Sequence, residues 1–506
     1  MILIVDFGSQ TTHLISRRIR EKHPNVIVVE PGNITSHINK DLKGIILSGG
    51  PSSVYEKGAP QITKDIFELS VPILGICYGL HLMAKTLGGT VTSGKKKEYG
   101  PAELSIIKKN NLFKDMPPQF NVWMSHGDEV SKLPQGFIKV GHSKTTQFAA
   151  FCNEKKKLYA IQFHPEVVHT EFGETILENF LSICGIKPQQ RKIDKEYVDI
   201  LTESIKSGLG NAHAICALSG GVDSSVVSVL THKAIGKKLT AIYIDSGLMR
   251  KNETTELEKV FTSHFKMNIK IVHAQNIFLK RLKGITDPEQ KRKIIGKTFI
   301  DVFEKEAKKI GATYFIQGTI YPDVIESAGT KHSKKIKSHH NVGGLPKKLN
   351  FKLIEPLRNL YKDEVRQVGK VLGLPDRVIQ RQPFPGPGLA VRIIGEVTEY
   401  KLKILRNADS IMREELEKTS DYKNIWQSLA VFTGIRSTGV RGDNRAYGET
   451  IALRIISAKD AMSAHWTHVP YETLDTISVR IVNEIPEVNR VVYDITNKPP
   501  ATIEWE

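Results

Sequence analysis

The chain has 506 residues, 40% hydrophobic and 25% charged, which excludes a fibrous or disordered protein and allows about three domains of roughly 100 to 200 residues each. The opening MILIVDF is too short and too quickly acidic for a secretory signal, and no apolar run approaches the ~20 residues that span a bilayer, so a cytoplasmic protein free of the membrane is expected. The net charge of +18 raises nucleic acid as a partner, but it is concentrated: 22 basic against 17 acidic residues over 1–190, 35 against 20 over 191–381, and 15 against 17 over 382–506.

In chain order, MILIVDF, VIVVE, GIILSGGP and VPILGICYG are short β-branched runs that end in glycine, proline or a polar turn and are separated by helical stretches. That alternation predicts a parallel sheet with crossover helices, whose strands carry function at their C-terminal ends. None of the four cysteines (Cys77, Cys152, Cys184, Cys216) forms a CxxC pair, so neither a disulfide framework nor a zinc site is expected. Cys77 in LGICYG stands where a strand meets a helix, between small residues that permit a sharp turn and at a helix N-terminus that favours thiolate. AIQFHPE places His164 at the end of another strand as its proton shuttle, with Glu166 to orient the imidazole. Gly49 and Gly50 of SGGPSS offer backbone N–H groups to an oxyanion. An isolated cysteine or histidine is more often structural; the flanking glycines and the HPE run weigh against that here.

GICYG, SGGP and FHPE together resemble the class I glutamine amidotransferases, which implies a flavodoxin-like α/β domain that releases ammonia from glutamine through a cysteinyl thioester. The resemblance implies that Cys77 attacks the amide, that His164 is base and then acid, and that Glu166 orients it. Tyr78 and His81, with Ser125 and His126 of VWMSHGD, would shape the glutamine pocket. His81 stands where the family usually has Gln, a departure that bears on glutamine affinity.

GIKPQQRK at 185–192 follows a helical stretch and reads as a linker, dividing a first domain, 1–190, from a second, 191–381. The second repeats the α/β pattern with AICALS, LTAIYID, KIVHA and TYFIQG as strands. SGGVDSS follows the first of these. Gly220 and Gly221 let N–H groups converge on an anion, Ser219, Ser224 and Ser225 add hydroxyls, and the helix that begins near Val222 presents its positive end. Asp223 suits a phosphate site only through a bridging Mg²⁺. No GxxxxGK[ST] occurs, so a kinase-type loop is not indicated. The motif resembles instead the pyrophosphatase loop of enzymes that cleave ATP to AMP and pyrophosphate, which implies a Rossmann-like fold with Asp245 of AIYIDSG beside the nucleotide.

From Tyr321 to Asn350 the sequence is rich in Lys, His, Ser and Gly without periodicity and reads as a mobile loop over a site. RQPFPGPGL at 381–389 forbids regular structure and opens a third, smaller α/β domain, 382–506, with KLKILRNADSIMREELEK as helix and TISVRIVNEI and NRVVYDIT as strands.

DPEQKRKIIG, QGTIYPDVIES, IKSHHNVGGLP, RQPFPGPGL and the terminal KPPATIEWE resemble, in order and over the whole length, the GMP synthase family. This implies that O2 of xanthosine 5′-monophosphate (XMP) is adenylylated by Mg-ATP and displaced by ammonia from glutamine. By the same resemblance Lys337, His339 and His340 lie on the loop over the reacting pair; Arg292, Arg381, Lys498, Thr502 and Glu504 contribute to the XMP pocket; and the third domain, near neutral in charge, forms a homodimer. Arg441 departs from the apolar residue expected in GVRGDNRAYGE. A tRNA-modifying enzyme would need a sulfur relay or a basic–aromatic platform, and neither is present in the sequence. NAD synthetase would lack KPPATIEWE and PFPGPGL.

Overall fold

The structure is a computed structural model that describes all residues except 10, 190, 329–350, 442 and 459–462, and describes no side chains for 95, 96, 325–328 and 441. It forms two compact units, Met1–Lys192 and Ile193–Glu506.

The first unit contains β1 (Ile2–Val5), α1 (Thr12–Lys22), β2 (Val26–Val29), β3 (Gly44–Leu47), β4 (Ile73–Ile76), α2 (Tyr78–Thr86), β5 (Thr90–Ile106), β6 (Gln119–Lys132), β7 (Ile138–His142), β8 (Ala150–Asn153), β9 (Leu158–Ile161) and α3 (Gly173–Ile183). They make one sheet in the order β2-β1-β3-β4-β9-β8-β7-β5-β6. Its β2-β1-β3-β4-β9 half is parallel and its remainder antiparallel. The four-residue runs ILIV, GIIL and ILGI are buried along their whole length, as strands covered on both faces must be. Separate apolar clusters fill the two faces.

The second unit continues with α4 (Lys195–Leu209), β10 (Ala214–Ala217), α5 (Val222–Ile235), β11 (Leu239–Asp245), α6 (Glu253–Glu258), β12 (Ile269–His273), α7 (Gln275–Leu282), α8 (Pro288–Ile310), β13 (Tyr314–Ile316), α9 (Tyr321–Ala328), β14 (Lys352–Ile354), α10 (Lys362–Val371), α11 (Asp376–Ile379), α12 (Glu399–Leu416), β15 (Gln427–Arg441), β16 (Asn444–Ser457), β17 (His465–Trp466), α13 (Tyr471–Glu484) and β18 (Val488–Tyr493). Strands β12-β11-β10-β13-β14 form a parallel sheet, and β15–β18 form a second, mostly antiparallel one. One apolar cluster runs from Ile215 and Ile242 of the parallel sheet through Leu405 of α12 to Ile451 and Ile477, so residues 382–506 share a core with 193–381.

Two expectations are corrected. TISVRIVNEI, expected as a strand, is helical within α13. Its buried residues Ile477, Ile481 and Ile485 recur every four positions, and that helical stripe packs on α12; β propensity yields to tertiary packing. The stretch from Tyr321, read as a loop, begins with α9; Lys337, His339 and His340 lie outside the described residues, as does the side chain of Arg441.

The C-terminal tail is fastened to this core by fully buried arginines. Arg392 donates to Glu504 through Nε (3.0 Å) and Nη2 (2.9 Å) and has Asp409 at 3.5 Å. Arg454 donates to Asp494 and to the carbonyls of Thr496, Thr502 and Ile503. Replacing Arg392 with methionine keeps the volume but leaves the buried Asp409 with Arg250 as its cation and the partly buried Glu504 with Gln427 alone. It is expected to destabilise the second unit by about 3 kcal/mol, measured as a loss of melting temperature for that unit.

Candidate active sites

Cys77 follows β4 and caps α2 with φ 51° and ψ −104°, a left-handed conformation strained for any residue with a Cβ. The glycines of GICYG make the turn possible by allowing close backbone approach. A Cβ on Gly79 would collide with the Leu47 carbonyl and lie 2.7 Å from its Cβ, and one on Gly75 would come within 2.7 Å of the Gly79 carbonyl oxygen. The Cys77 amide donates to Ile161 at the end of β9 (2.9 Å), which fixes the elbow beside the strand that leads to His164.

His164 Nδ1 lies 2.7 Å from Glu166 Oε1, and the Cys77 thiol lies within hydrogen-bonding reach of the same ring. Burial opposes a charge on His164, but the Glu166 carboxylate and Cys77 outweigh it and hold its pKa well above the usual imidazole range. Such an assembly can stabilise an imidazolium beside a thiolate and carry a proton to a leaving amine. Gly49 and Gly50 border it: a Cβ at Gly49 would sit 3.1 Å from His164 Cε1, and one at Gly50 2.9 Å from the Phe7 carbonyl oxygen. The Ser125 carbonyl accepts from the Cys77 thiol (3.6 Å), whereas the Tyr78 hydroxyl turns away to the Pro60 carbonyl (2.6 Å).

His126 is committed elsewhere, with Nδ1 donating to the Asp128 carbonyl (2.8 Å) and Nε2 3.2 Å from Glu98. Burial pushes the Glu98 carboxyl up, but hydrogen bonds from His126, Thr145, Thr146 and Ser143 outweigh it and hold it down at about 2. A carboxyl whose folded pKa lies below its unfolded one contributes stability that is full above about 4.5 and lost as pH falls towards 2. The melting-temperature gap between wild type and Glu98→Gln is therefore expected to be widest near neutral pH and to close on acidification through that window.

In the second unit, Gly220 (φ 77°) turns the chain from β10 into α5, with Gly221 as N-cap. The serines brace the turn: Ser219 Oγ lies 2.9 Å from Ser224 Oγ and accepts from the Gly221 amide (3.3 Å), and Ser224 Oγ donates to the Gly221 carbonyl (3.0 Å). Ser225 Oγ is buried without a hydrogen-bond partner. Val222 is buried in the core beneath the turn. Asp223 pairs through Oδ2 with Lys362 (2.5 Å), while its Oδ1 is buried and unpartnered. Arg381 donates to the Gly220 carbonyl (2.8 Å) and pairs with Glu253. Asp245, at the end of β11, is occupied by the Gly247 amide (3.0 Å) and Gln275 Nε2 (2.9 Å).

The remaining expected residues lie around the tail. Arg292 donates to the Glu506 carbonyl, Glu504 is held by Arg392 and Gln427, the Thr502 hydroxyl donates to the Glu504 carbonyl, and the Lys498 main chain pairs with Ala464. Sequence reasoning did not single out Lys362, Gln162 or Phe384. Gln162 stands two residues before His164 in a motif already noted, and that spacing was the available signal. Lys362 had none, being 139 residues from its partner. Phe384 of PFPGPG carries the guanidinium groups of Arg250, Arg381 and Arg392 at 4.7–5.7 Å from its ring centre. Among the described residues no cluster of three or more His, Cys, Asp or Glu could hold a metal, and no helix is long and apolar enough to cross a membrane.

A strained cysteine elbow with a histidine–glutamate pair in one unit, and a glycine–serine turn at a helix N-terminus over a parallel sheet in the other, define an amidotransferase-class enzyme coupled to a nucleotide-cleaving domain. Family models agree: glutamine amidotransferase class-I matches residues 3–184, NAD synthase matches 193–296 and the GMP synthase C-terminal domain matches 414–505. The chain is 53% identical over 509 residues to the glutamine-hydrolysing GMP synthase of Clostridium botulinum (strain Loch Maree / Type A3), covering 100% of this chain and 99% of that one. It is 52% identical over 517 residues to that of Prochlorococcus marinus (strain MIT 9312), covering 100% and 98%. A solved glutamine amidotransferase from Thermotoga maritima is 24% identical, with a TM-score of 0.29 over 40% of this chain and 84% of its own. The chain belongs to the glutamine-hydrolysing GMP synthases, which are ligases.

Proposed function

We propose that this chain makes GMP from XMP in two coupled reactions. At the first site the Cys77 thiolate attacks the side-chain amide of glutamine, His164 protonates the departing ammonia and then activates water, and Glu166 keeps the imidazole charged and oriented. At the second site the SGGVDSS turn holds the phosphates of ATP while O2 of XMP takes the adenylyl group. Ammonia then displaces AMP from C2. The observation that carries the reading is the 2.7 Å His164–Glu166 contact beside the strained Cys77 elbow, on a chain that also bears the phosphate turn.

Asp223 fits a Mg²⁺ that accompanies ATP, because its Oδ1 is a buried acceptor with nothing to accept from, while Lys362 balances the other oxygen. The ion would neutralise charge on the departing pyrophosphate. Arg381, tied to the Gly220 carbonyl, is placed to sense or support the loop, and Arg292, Lys498, Thr502 and Glu504 shape the XMP end near the tail. Self-association through the β15–β16 hairpin is part of this proposal; the exposed apolar side chains of Ile435, Val440 and Tyr447 support it. A cytoplasmic setting suits the four unpaired cysteines.

The test is release of AMP and pyrophosphate from Mg-ATP with and without XMP, with GMP followed alongside. XMP-dependent release matched by GMP is the expected result. Glutamine hydrolysis without XMP-dependent ATP cleavage would overturn the acceptor.

A further inference from the structure

His81 occupies a position expected to face glutamine, but its side chain is buried: it lies on the first turn of α2, is 4% exposed, and packs its ring edge against His126 at 6.5 Å between centres. Its Nε2 faces inward, 2.8 Å from Gln162 Oε1, and the Asp128 main chain also reaches the ring. Gln162 is fully buried, its backbone amide is fixed by the Ala149 carbonyl (2.8 Å), and its Nε2 points at Cys77 Sγ from 3.8 Å. The three groups thus form a line from imidazole to amide to sulfur.

The orientation of that amide matters. With Oε1 taken by His81, the only group that Gln162 can present to the sulfur is an N–H, which stabilises a thiolate; the flipped amide would turn a carbonyl oxygen towards it and repel the charge. A neutral imidazole that carries its proton on Nε2 enforces the first arrangement. Burial, reinforced by His126, drives the His81 pKa down to about 4 against the opposing pull of Gln162 and Asp128, which keeps the ring neutral. The ring also has one fewer side-chain torsion than the glutamine usual at this position, so it holds its partner with less rotational freedom. The titratable groups about the sulfur include His164, backed by Glu166, on one side, and His81, with His126 and Asp128 about its ring, behind Gln162.

We propose that His81 is a positioning residue for the glutaminase reaction: it locks the Gln162 amide so that its N–H faces the Cys77 sulfur, and it does not contact the glutamine substrate. The proposal rests on Cys77 being the nucleophile.

The experiment measures glutamine hydrolysis, and the rate of Cys77 alkylation by iodoacetamide at neutral pH, in the full chain carrying His81→Leu, Gln162→Leu, both together, or His81→Gln. His81→Leu is expected to lower kcat about 10–100-fold with KM changed less than about twofold, and to slow alkylation about tenfold. The double variant should be no worse than Gln162→Leu alone, since the two act in series. His81→Gln, which restores a donor near the Nε2 position, should recover most of the activity. Ammonia-dependent GMP formation reports folding of the chain; if His81→Leu loses that too, the comparison of Gln162→Leu with His81→Gln decides. A rise in KM with kcat and alkylation unchanged would overturn the proposal, because it would put His81 on the substrate. Additive losses in the double variant would overturn it as well. Full glutaminase activity in Cys77→Ala would overturn instead the nucleophile assignment beneath it.

Discussion

Cys77→Ala is expected to lower glutamine-dependent GMP formation by roughly 10⁴-fold or more, while formation from added ammonia stays within about twofold of wild type. The asymmetry follows from the architecture. The sulfur, His164 and Glu166 belong to Met1–Lys192, and none of them is part of the SGGVDSS turn in Ile193–Glu506. Alanine at this position keeps the backbone conformation and removes only Sγ, so the elbow, Gly49 and Gly50 and the imidazole stay in place without the proposed nucleophile. Equal loss with both nitrogen donors would show that the two reactions do not divide between the sites as proposed.

Asp223→Asn should act on the other half, lowering AMP and pyrophosphate formation about 10²–10³-fold with glutamine and ammonia alike. The substitution is nearly isosteric, but it removes the charge that balances Lys362 and replaces one carboxylate oxygen with an N–H donor, which can neither hold a cation nor pair with an ammonium. The Cys77 thiol should remain as reactive to iodoacetamide as in wild type, which separates a local defect from unfolding. Unchanged pyrophosphate release would end the metal role for this carboxylate.

Much of the first site was legible because its signals are local. GICYG, SGGP and FHPE each pack a turn and a functional side chain into a few residues, and steric need fixes the glycines: Gly75 and Gly79 have no room for a Cβ against neighbouring backbone. The same holds for SGGVDSS, where the positive φ of Gly220 and the helix that follows are properties of adjacent residues. The tail was harder. KPPATIEWE could be matched as a motif, yet nothing in it shows that Glu504 meets Arg392 across 112 residues, or that Arg454 gathers three tail carbonyls.

The misread strand in α13 has the same origin. Its β-branched residues favour extension when read alone, and only the surface of α12 makes a four-residue stripe of isoleucine the better burial. His81 is the sharpest instance: its motif suggests a glutamine-facing side chain, and the fold turns its ring to Gln162, 81 residues away. By itself the sequence determined the family and, through short-range sterics and hydrogen bonding, the turns, the glycines, the cysteine elbow and the glycine–serine loop. Only the tertiary structure decided which distant carboxylate, amide or ammonium completes each site, because a buried polar group takes its partner from whatever element packing brings within about 3 Å, irrespective of its distance along the chain.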